Sequence, residues 1–261
     1  RMTSEDCEKI QLNPFFDVYC TYYSQKKFKK NKRYFYFDIS NEFDELLNII
    51  KPNLIISSLK GDFNSQITFH EKAINSCENN RIKLLFISSS NVFDFFTNFP
   101  SYENDKTFDN SLFGRVKINI ENKILRMKTK NWVILRSAMI FDKGSTRLKN
   151  LINDIKQSIP IEIFPNLIIN INSTDVFAKQ IHYIISRKLK GIFHHGSKDL
   201  INHDEFIFSI IKNRDLKQVN YKFVYTTNEN RYLALFSNTN LFPKHLQFSY
   251  EDVLLEMIEK N

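Results

Sequence analysis

Phosphate-binding loops require closely spaced glycines, and this chain has only five glycines among its 261 residues. They stand at Gly61, Gly114, Gly144, Gly191 and Gly196. Neither G-x-G-x-x-G nor G-x-x-x-x-G-K-[ST] can be written across these positions. The nearest approach, G-I-F-H-H-G-S-K from Gly191 to Lys198, has its lysine and its hydroxyl in the wrong order. The 261 residues therefore contain no phosphate loop of either kind.

The patterns that mark metal sites and hydrolases are missing as well. His194 and His195 are adjacent on a predicted strand, so their side chains point to opposite faces and cannot share one metal ion. The remaining histidines, which show no ligand spacing, are His70, His182, His203 and His245. Neither a G-x-S-x-G elbow nor an H-E-x-x-H helix occurs. We therefore expect no resident metal and no hydrolase chemistry.

The composition is that of a soluble globular chain, with 42% hydrophobic and 25% charged residues. No apolar run approaches the roughly 18 residues of a membrane span, and the first residues lack the apolar stretch of a signal peptide. The odd cysteine set, Cys7, Cys20 and Cys77, has no C-x-x-C spacing and fits reduced thiols. We expect a cytoplasmic protein without a membrane partner.

The net charge of +8 is concentrated in one short run of the chain. Its six cations are Lys26, Lys27, Lys29, Lys30, Lys32 and Arg33. Most such runs are solvated loops, and a phosphate site is the next interpretation. Nucleic acid or a membrane surface ranks last, since no aromatic stacking platform accompanies the run.

Short apolar runs alternate with segments of helical period, which predicts the elements that position these residues. The predicted strands are 16–23, 34–38, 53–59, 82–88, 132–136, 161–164, 167–171, 191–195 and 219–224. The predicted helices are 1–12, 43–50, 67–77, 112–127, 147–158, 175–188, 204–212 and 250–259. The runs L-I-I-S and L-L-F-I-S are apolar on both faces, as in a parallel sheet that helices cover on both sides.

The fold class is therefore α/β: a doubly wound, Rossmann-like parallel sheet with a smaller C-terminal substrate-binding lobe. We predict a dinucleotide-binding part over 1–142 and a lobe over 143–261, with 172–196 returning to the sheet. Ligands of such folds bind at the carboxyl ends of the strands.

Several short motifs follow one another in a recognisable order. They are K-P-N-L-I-I-S-S, I-S-S-S-N-V-F-D, P-S-Y-E-N-D, F-G-R-V-K, I-L-R-S-A-M-I-F and G-I-F-H-H-G. This order resembles the extended short-chain dehydrogenase/reductase family, in particular its dTDP-4-dehydrorhamnose reductase group. That group reads I-S-T-D-Y-V-F-D-G, P-Y-x-E-x-D and Y-G-x-[ST]-K. The chain is also similar to the related regulatory subunit of methionine adenosyltransferase. The likeness covers nearly the whole chain.

The resemblance implies specific roles for residues near the second, third and fourth motifs. The hydroxyl that binds the substrate carbonyl falls on Ser89, and the lysine that binds the nicotinamide ribose falls on Lys117. The tyrosine that gives the proton falls on Phe113, whose ring has no ionisable hydrogen. General acid catalysis contributes about 10² to 10⁴ in rate. Tyr102, in the loop between the motifs, is a candidate substitute donor.

Each of these residues also has a structural interpretation. Ser89 at a strand end is suited to capping nearby backbone, and Lys117 to a solvated helix surface. Phe113 has the spacing of a buried helix face. A loop tyrosine such as Tyr102 fills space or binds substrate.

The resemblance also implies a dinucleotide at the carboxyl edge of the sheet. The group's glycine loop would precede the helix predicted at 1–12, so cofactor binding is conditional on an upstream strand and glycine loop. No Asp or Glu stands at 21–25 to accept from a ribose 2′-hydroxyl, and lysines follow, which favours NADP(H) over NAD(H). The candidate cofactor residues are Tyr23, Ser24, Lys26, Asp38, Ile39, Ser57, Ser58, Lys60, Lys117 and Ser137.

Three functions remain open on the sequence. The first is an NADP(H)-dependent reductase or epimerase of a 4-keto sugar nucleotide. The second is a non-catalytic regulatory subunit that binds dinucleotide or nucleotide sugar, as a homodimer or with a partner protein. The third, ranked last, is a nucleic-acid binder that uses the lysine run.

Overall fold

The structure is a computed structural model that describes residues 15–24, 26–40, 43–94, 98–238 and 241–258. The helix predicted over 1–12 lies outside the described residues. The helices are α1 (Phe43–Ile50), α2 (Phe63–Asn80), α3 (Leu112–Leu125), α4 (Thr146–Lys156), α5 (Thr174–Ser186), α6 (His203–Asn213) and α7 (Tyr250–Ile258). Short 3₁₀ helices cover Lys26–Lys30, Ser90–Phe93 and Lys244–Leu246.

The strands of the first half are β1 (Cys20–Tyr22), β2 (Tyr34–Tyr36), β3 (Leu54–Ser57), β4 (Lys83–Ser89), β5 (Trp132–Ser137) and β6 (Met139–Ile140). Those of the second half are β7 (Ile161–Ile163), β8 (Leu167–Ile169), β9 (Ile171–Asn172), β10 (Gly191–His195), β11 (Ile201–Asn202), β12 (Tyr221–Phe223) and β13 (Arg231–Leu233). The predicted bounds of α1 and β10 agree with the structure.

A four-stranded parallel sheet in the order β10-β5-β4-β3 forms the centre of the molecule. Alternate residues of its strands face opposite layers, as the pleat requires. Leu84 and Phe86 pack with α1, α2 and α3, whereas Leu85 and Val133 pack with α5. Helices therefore cover both faces of the sheet, and the predicted α/β fold is confirmed.

Strands β1 and β2 form a separate two-stranded parallel sheet. Within the described residues, β1 pairs only with β2, and β3 pairs only with β4. One backbone edge of β1 and one of β3 therefore have no strand partner in this part of the chain. Edges of this kind are normally paired or covered in parallel sheets.

Three small sheets, β11-β8-β13, β12-β7 and β6-β9, surround a second core to which α4, α6 and α7 contribute. Phe206, Ile163 and Ile169 are fully buried there. Strands β6, β11 and β13 were not predicted, because each has only two or three residues and shows no readable period. Helix α2 starts earlier than predicted because Asp62 caps it by accepting from the backbone N–H of Ser65 (2.8 Å).

A buried ion pair joins α3 to β5. Arg136 Nη2 lies 2.8 Å from Glu121 Oε2, and the two side chains are 3% and 2% exposed. Arg136 Nη1 also donates to the carbonyl oxygen of Glu103 (3.1 Å), and the guanidinium lies 4.9 Å from the centre of the Phe93 ring. One side chain thus connects the sheet, a helix and a loop.

We expect Glu121→Leu to lower the free energy of unfolding by about 3 to 5 kcal/mol, because it leaves the Arg136 charge buried without its carboxylate. The double variant Glu121→Leu/Arg136→Met removes both charges and should lose less. Glu162→Leu is the control, because its ion pair with Lys222 is exposed and such pairs contribute about 1 kcal/mol or less. Chemical denaturation measures all three. A double variant as unstable as Glu121→Leu would contradict this account.

Candidate active site

The carboxyl ends of the central strands bring three polar residues side by side. Ser89 of β4 pairs in register with Ser137 of β5, and Ser137 pairs with His195 of β10. Ser57 ends β3 at the level of Phe86, three residues before Ser89. The candidate site therefore follows a stepped edge, with β4 projecting beyond β3.

Ser89 caps the short helix that follows its strand. Its hydroxyl donates to Asn91 Oδ1 (2.9 Å) and accepts from the Asn91 backbone N–H (3.3 Å). The side chain is half-buried. Ser89 would have to release Asn91 Oδ1 before it could donate to a substrate carbonyl.

Helix α3 presents Phe113 and Lys117 one turn apart. Ser111 caps this helix by accepting from the Gly114 N–H (3.0 Å). Lys117 is 7% exposed, and its Nζ donates to the Ile87 carbonyl oxygen (3.1 Å). The same ammonium lies 5.9 Å from the centre of the Phe113 ring. The structure thus brings these two predicted residues together, at the strand that ends in Ser89.

Tyr102 lies on the C-terminal side of the site. Its loop joins the lobe through hydrogen bonds between Ser101 and the backbone of Ala234 and Phe236 (both 2.9 Å). The Tyr102 ring packs edge-on against Phe236 at 6.3 Å and lines a cavity of about 210 Å³ with His194. Neither a hydrogen bond nor a ring contact joins Tyr102 to Ser89 or Phe113 in the described part of the chain.

Ser57 is bound to a buried histidine that the sequence did not single out. Its Oγ lies 2.8 Å from His70 Nε2, and His70 Nδ1 lies 2.6 Å from the Gln66 carbonyl oxygen. Because a carbonyl oxygen only accepts, Nδ1 carries the proton and Nε2 accepts from the Ser57 hydroxyl. Burial lowers the pKa of His70 to about 4. Ser57 is therefore left to accept, not donate, any further hydrogen bond.

The residues expected near the adenosine lie around the β1–β2 sheet. Tyr23 and Ser24 are exposed directly after β1, and Lys26 begins the first 3₁₀ helix. Asp38 follows β2 and accepts from the backbone N–H (2.9 Å) and the hydroxyl (2.7 Å) of Ser40. The backbone hydrogen bond, more than the hydroxyl, lowers the pKa of Asp38. Ile39 packs against the core between the sheet and α2.

The remaining candidate cofactor residues are spread along the same edge. Ser58 is half-buried and Lys60 is exposed, both directly after β3. Ser137 is buried, donates to the Ala138 carbonyl oxygen (2.9 Å) and accepts from Asn172 Nδ2 (3.4 Å). Their polar groups border the strand ends, but the hydroxyl of Ser137 is already bonded within the protein.

Sequence reasoning missed the group that links the two sides of the site. His194 Nε2 lies 3.3 Å from Arg136 Nη1, and His194 Nδ1 lies 2.9 Å from the Phe236 carbonyl oxygen. Burial lowers the pKa of His194 to about 4, so the ring is neutral and accepts from Arg136. The pair H-H in a strand carried no signal of this contact, because Arg136 and Phe236 are distant in sequence.

The described residues hold no group of three or more His, Cys, Asp or Glu placed to bind a metal ion. Across those same ranges, no helix is long and apolar enough to span a membrane.

Solved structures of several enzymes share the fold. The dTDP-4-dehydrorhamnose reductase of Bacillus anthracis str. Ames in complex with NADP is 19% identical, with a TM-score of 0.76 over 97% of this chain and 94% of that chain. The reductase of the same name from Clostridium acetobutylicum ATCC 824 is 18% identical, with a TM-score of 0.69 over 93% and 98%. The UDP-glucose 4-epimerase of Thermus thermophilus with NAD is 11% identical, with a TM-score of 0.77 over 98% and 94%.

These similarities show that the chain shares the fold of these reductases and of this epimerase. The sequence signature of the RmlD substrate binding domain matches residues 61–242, which is more than half of the chain. The chain belongs to that family. No curated protein matches it significantly by sequence.

The buried histidines make the fold sensitive to acid. Burial lowers the pKa of His70, His194 and His203 to about 4 and that of His195 to about 3. Below pH 6.5 the histidines of the unfolded chain bind protons, whereas the buried histidines of the folded chain stay neutral. The free energy of unfolding should therefore fall as pH falls from 6.5 towards 4. Each histidine contributes about 1.4 kcal/mol per pH unit.

The variant His203→Gln should reduce the slope of the free energy of unfolding against pH by about 1.4 kcal/mol per pH unit, because one histidine fewer takes up a proton on unfolding. His245→Gln is the control, because His245 is exposed. Urea denaturation at several pH values between 4 and 7 gives the slopes. Equal slopes in wild type and His203→Gln would show that His203 is not kept neutral by the fold.

Proposed function

We propose that this chain is a reductase- or epimerase-like protein that binds NADP(H) and a 4-keto sugar nucleotide, with turnover limited by Phe113. The observation that carries the proposal is the placement of Phe113 and Lys117 one turn apart, with the ammonium 5.9 Å from the phenyl ring. Family membership and the shared fold support it. A ketone reduction needs a proton at the carbonyl oxygen, which phenylalanine cannot supply.

The neighbouring groups are suited to a tyrosine at this position. An ammonium within about 6 Å favours the phenolate form and lowers the pKa of a phenol. Lys117 is held there by the Ile87 carbonyl oxygen and lies 4.6 Å from the centre of the Phe86 ring. In this chain the cation faces an aromatic ring that can neither ionise nor donate.

The NADP preference rests on charge at the adenosine end. Residues 18–37 contain six cations and no carboxylate. A ribose 2′-phosphate is attracted by such a segment, whereas an NAD site commonly offers an acid to the 2′-hydroxyl. We assign the binding of this phosphate to Tyr23, Ser24 and Lys26.

Binding of a dinucleotide cofactor requires a glycine loop. A dinucleotide needs a glycine loop for its pyrophosphate, and the sequence from Arg1 to Asn261 contains none. The proposal pairs a further parallel strand with the edges of β1 and β3 that have no strand partner among the described residues. We make NADP(H) binding conditional on a strand and glycine loop encoded upstream of Arg1.

A second candidate function is a non-catalytic subunit that binds the same ligands and acts on a partner protein. The observation in its favour is the state of the three residues proposed to supply or relay the proton. Phe113 has no hydroxyl, Ser89 donates to Asn91, and Tyr102 packs on Phe236.

The variant Phe113→Tyr separates the two candidates. We expect it to raise NADPH oxidation with a 4-keto sugar nucleotide by about 10² to 10⁴, because it restores the general acid beside Lys117. Leu112→Tyr is the matched control, since it adds the same hydroxyl one residue away on an exposed position. Stopped-flow absorbance at the NADPH band measures the rate.

Binding is measured separately by titrating wild-type protein with NADPH. Ordinary turnover in wild type would contradict the limit set by Phe113. Binding without turnover in either protein would favour the regulatory subunit. The absence of NADPH binding to a chain that includes a glycine loop would overturn both candidates.

A further inference from the structure

Aromatic and basic side chains are interleaved in the segment 18–37. It holds eight aromatic residues and six cations, with no Asp or Glu. The nearest acids are already engaged: Asp17 lies 3.3 Å from Arg33, and Asp38 accepts from Ser40. The segment therefore has a strongly positive local charge.

The fold anchors the lysines on the β1–β2 sheet. Phe28, in the 3₁₀ helix Lys26–Lys30, is 3% exposed, and its ring stacks on Tyr34 at 4.5 Å with an interplanar angle of 4°. Lys29 and Lys30, which follow Phe28, are exposed, as is Lys32 in the turn before β2. The cations are thus held beside the sheet by a buried aromatic stack.

The pairing of β1 with β2 also creates an aromatic platform. Tyr23 and Tyr36 are 65% and 56% exposed, and their rings stack at 6.1 Å with an interplanar angle of 23°. Tyr19, which is 41% exposed, lies against Phe35 at 6.2 Å. Nucleic acid ranked last on the sequence because no aromatic platform was apparent beside the lysine run, and the stacked pair of Tyr23 and Tyr36 is the observation that reopens this interpretation.

We propose that the tyrosine–lysine surface, which consists of Tyr23, Tyr36, Lys29, Lys30 and Lys32, binds single-stranded nucleic acid. Exposed aromatic rings stack bases of any sequence, and a positively charged groove tracks the backbone phosphates. Tyr34 and Tyr36 point to the same face of β2, and Phe28 stacks on Tyr34, so the lysine-bearing helix lies on the face that carries Tyr36. This activity goes beyond the sugar-nucleotide function proposed above and does not depend on it.

The test measures fluorescence anisotropy of a labelled 12-nucleotide strand, as DNA and as RNA, between 50 and 200 mM salt. We expect Tyr23→Ala/Tyr36→Ala to weaken binding by about tenfold or more, and Tyr23→Phe/Tyr36→Phe to retain it, because the phenyl rings still stack. Lys29→Gln/Lys30→Gln/Lys32→Gln should reduce the slope of log affinity against log salt by about 2, at about 0.7 per phosphate contact.

Two matched controls keep the test specific. Tyr225→Ala removes another exposed tyrosine, which is 64% exposed in the C-terminal lobe. Lys149→Gln/Lys156→Gln/Lys212→Gln removes the same charge from exposed positions on α4 and α6. Both should bind the strand as wild type does.

Circular dichroism melts establish that every variant is folded, and NADPH binding to wild type is measured alongside. The proposal is overturned if the strand does not bind wild type, if the tyrosine and lysine variants behave as the controls do, or if a duplex of equal length binds as tightly. NADPH binding without strand binding would assign the tyrosines to the dinucleotide alone and leave the proposed function intact.

Discussion

Arg136 carries a positive charge into the interior, where the residue is 2% exposed, and the candidate site is arranged around it. Its Nε and Nη2 donate to Glu121 on α3, while Nη1 faces the Glu103 carbonyl oxygen and His194 Nε2. A buried guanidinium without partners costs several kcal/mol, so these contacts constrain each other. The position of α3, and with it Phe113 and Lys117, follows from this constraint. So does the docking of the Tyr102 loop against the C-terminal lobe.

The histidine and serine side chains of the candidate site donate their protons to fixed hydrogen-bond partners. His70 and His194 are neutral, and each uses Nδ1 to donate to a backbone carbonyl oxygen. Ser57 and Ser89 donate inward, to His70 and Asn91. The Lys117 ammonium lies 5.9 Å from the centre of the Phe113 ring, the position proposed above for the proton donor. On that proposal, the candidate site binds and orients its ligands but does not supply the acid step.

The β1–β2 sheet differs from the core in the exposure of its aromatic side chains. In the core, aromatic residues such as Phe69 and Phe86 are buried between sheet and helices. On the β1–β2 sheet, Tyr23 and Tyr36 remain exposed beside a lysine-bearing helix that Phe28 fixes in place. Contiguous exposed apolar surface marks interaction sites more often than isolated exposed rings do, and the lysines give this end a positive local charge. Both the proposed dinucleotide site and the proposed nucleic-acid surface draw on this end of the molecule.

The sequence by itself determined the α/β class, the central strands and most helices. Runs such as L-L-F-I-S and the spacing of Phe43, Leu46, Leu47 and Ile50 record local burial, and local burial is readable as period. The motifs also proposed Ser89, Lys117 and Phe113 as site residues, and that assignment stays a prediction. Only the tertiary structure decided the short strands β6, β11 and β13, the His70–Ser57 contact, the place of Tyr102 and the tyrosine platform. Those features join residues far apart in the chain, such as Arg136 with His194, and sequence period carries no record of contacts that form only when separate elements pack.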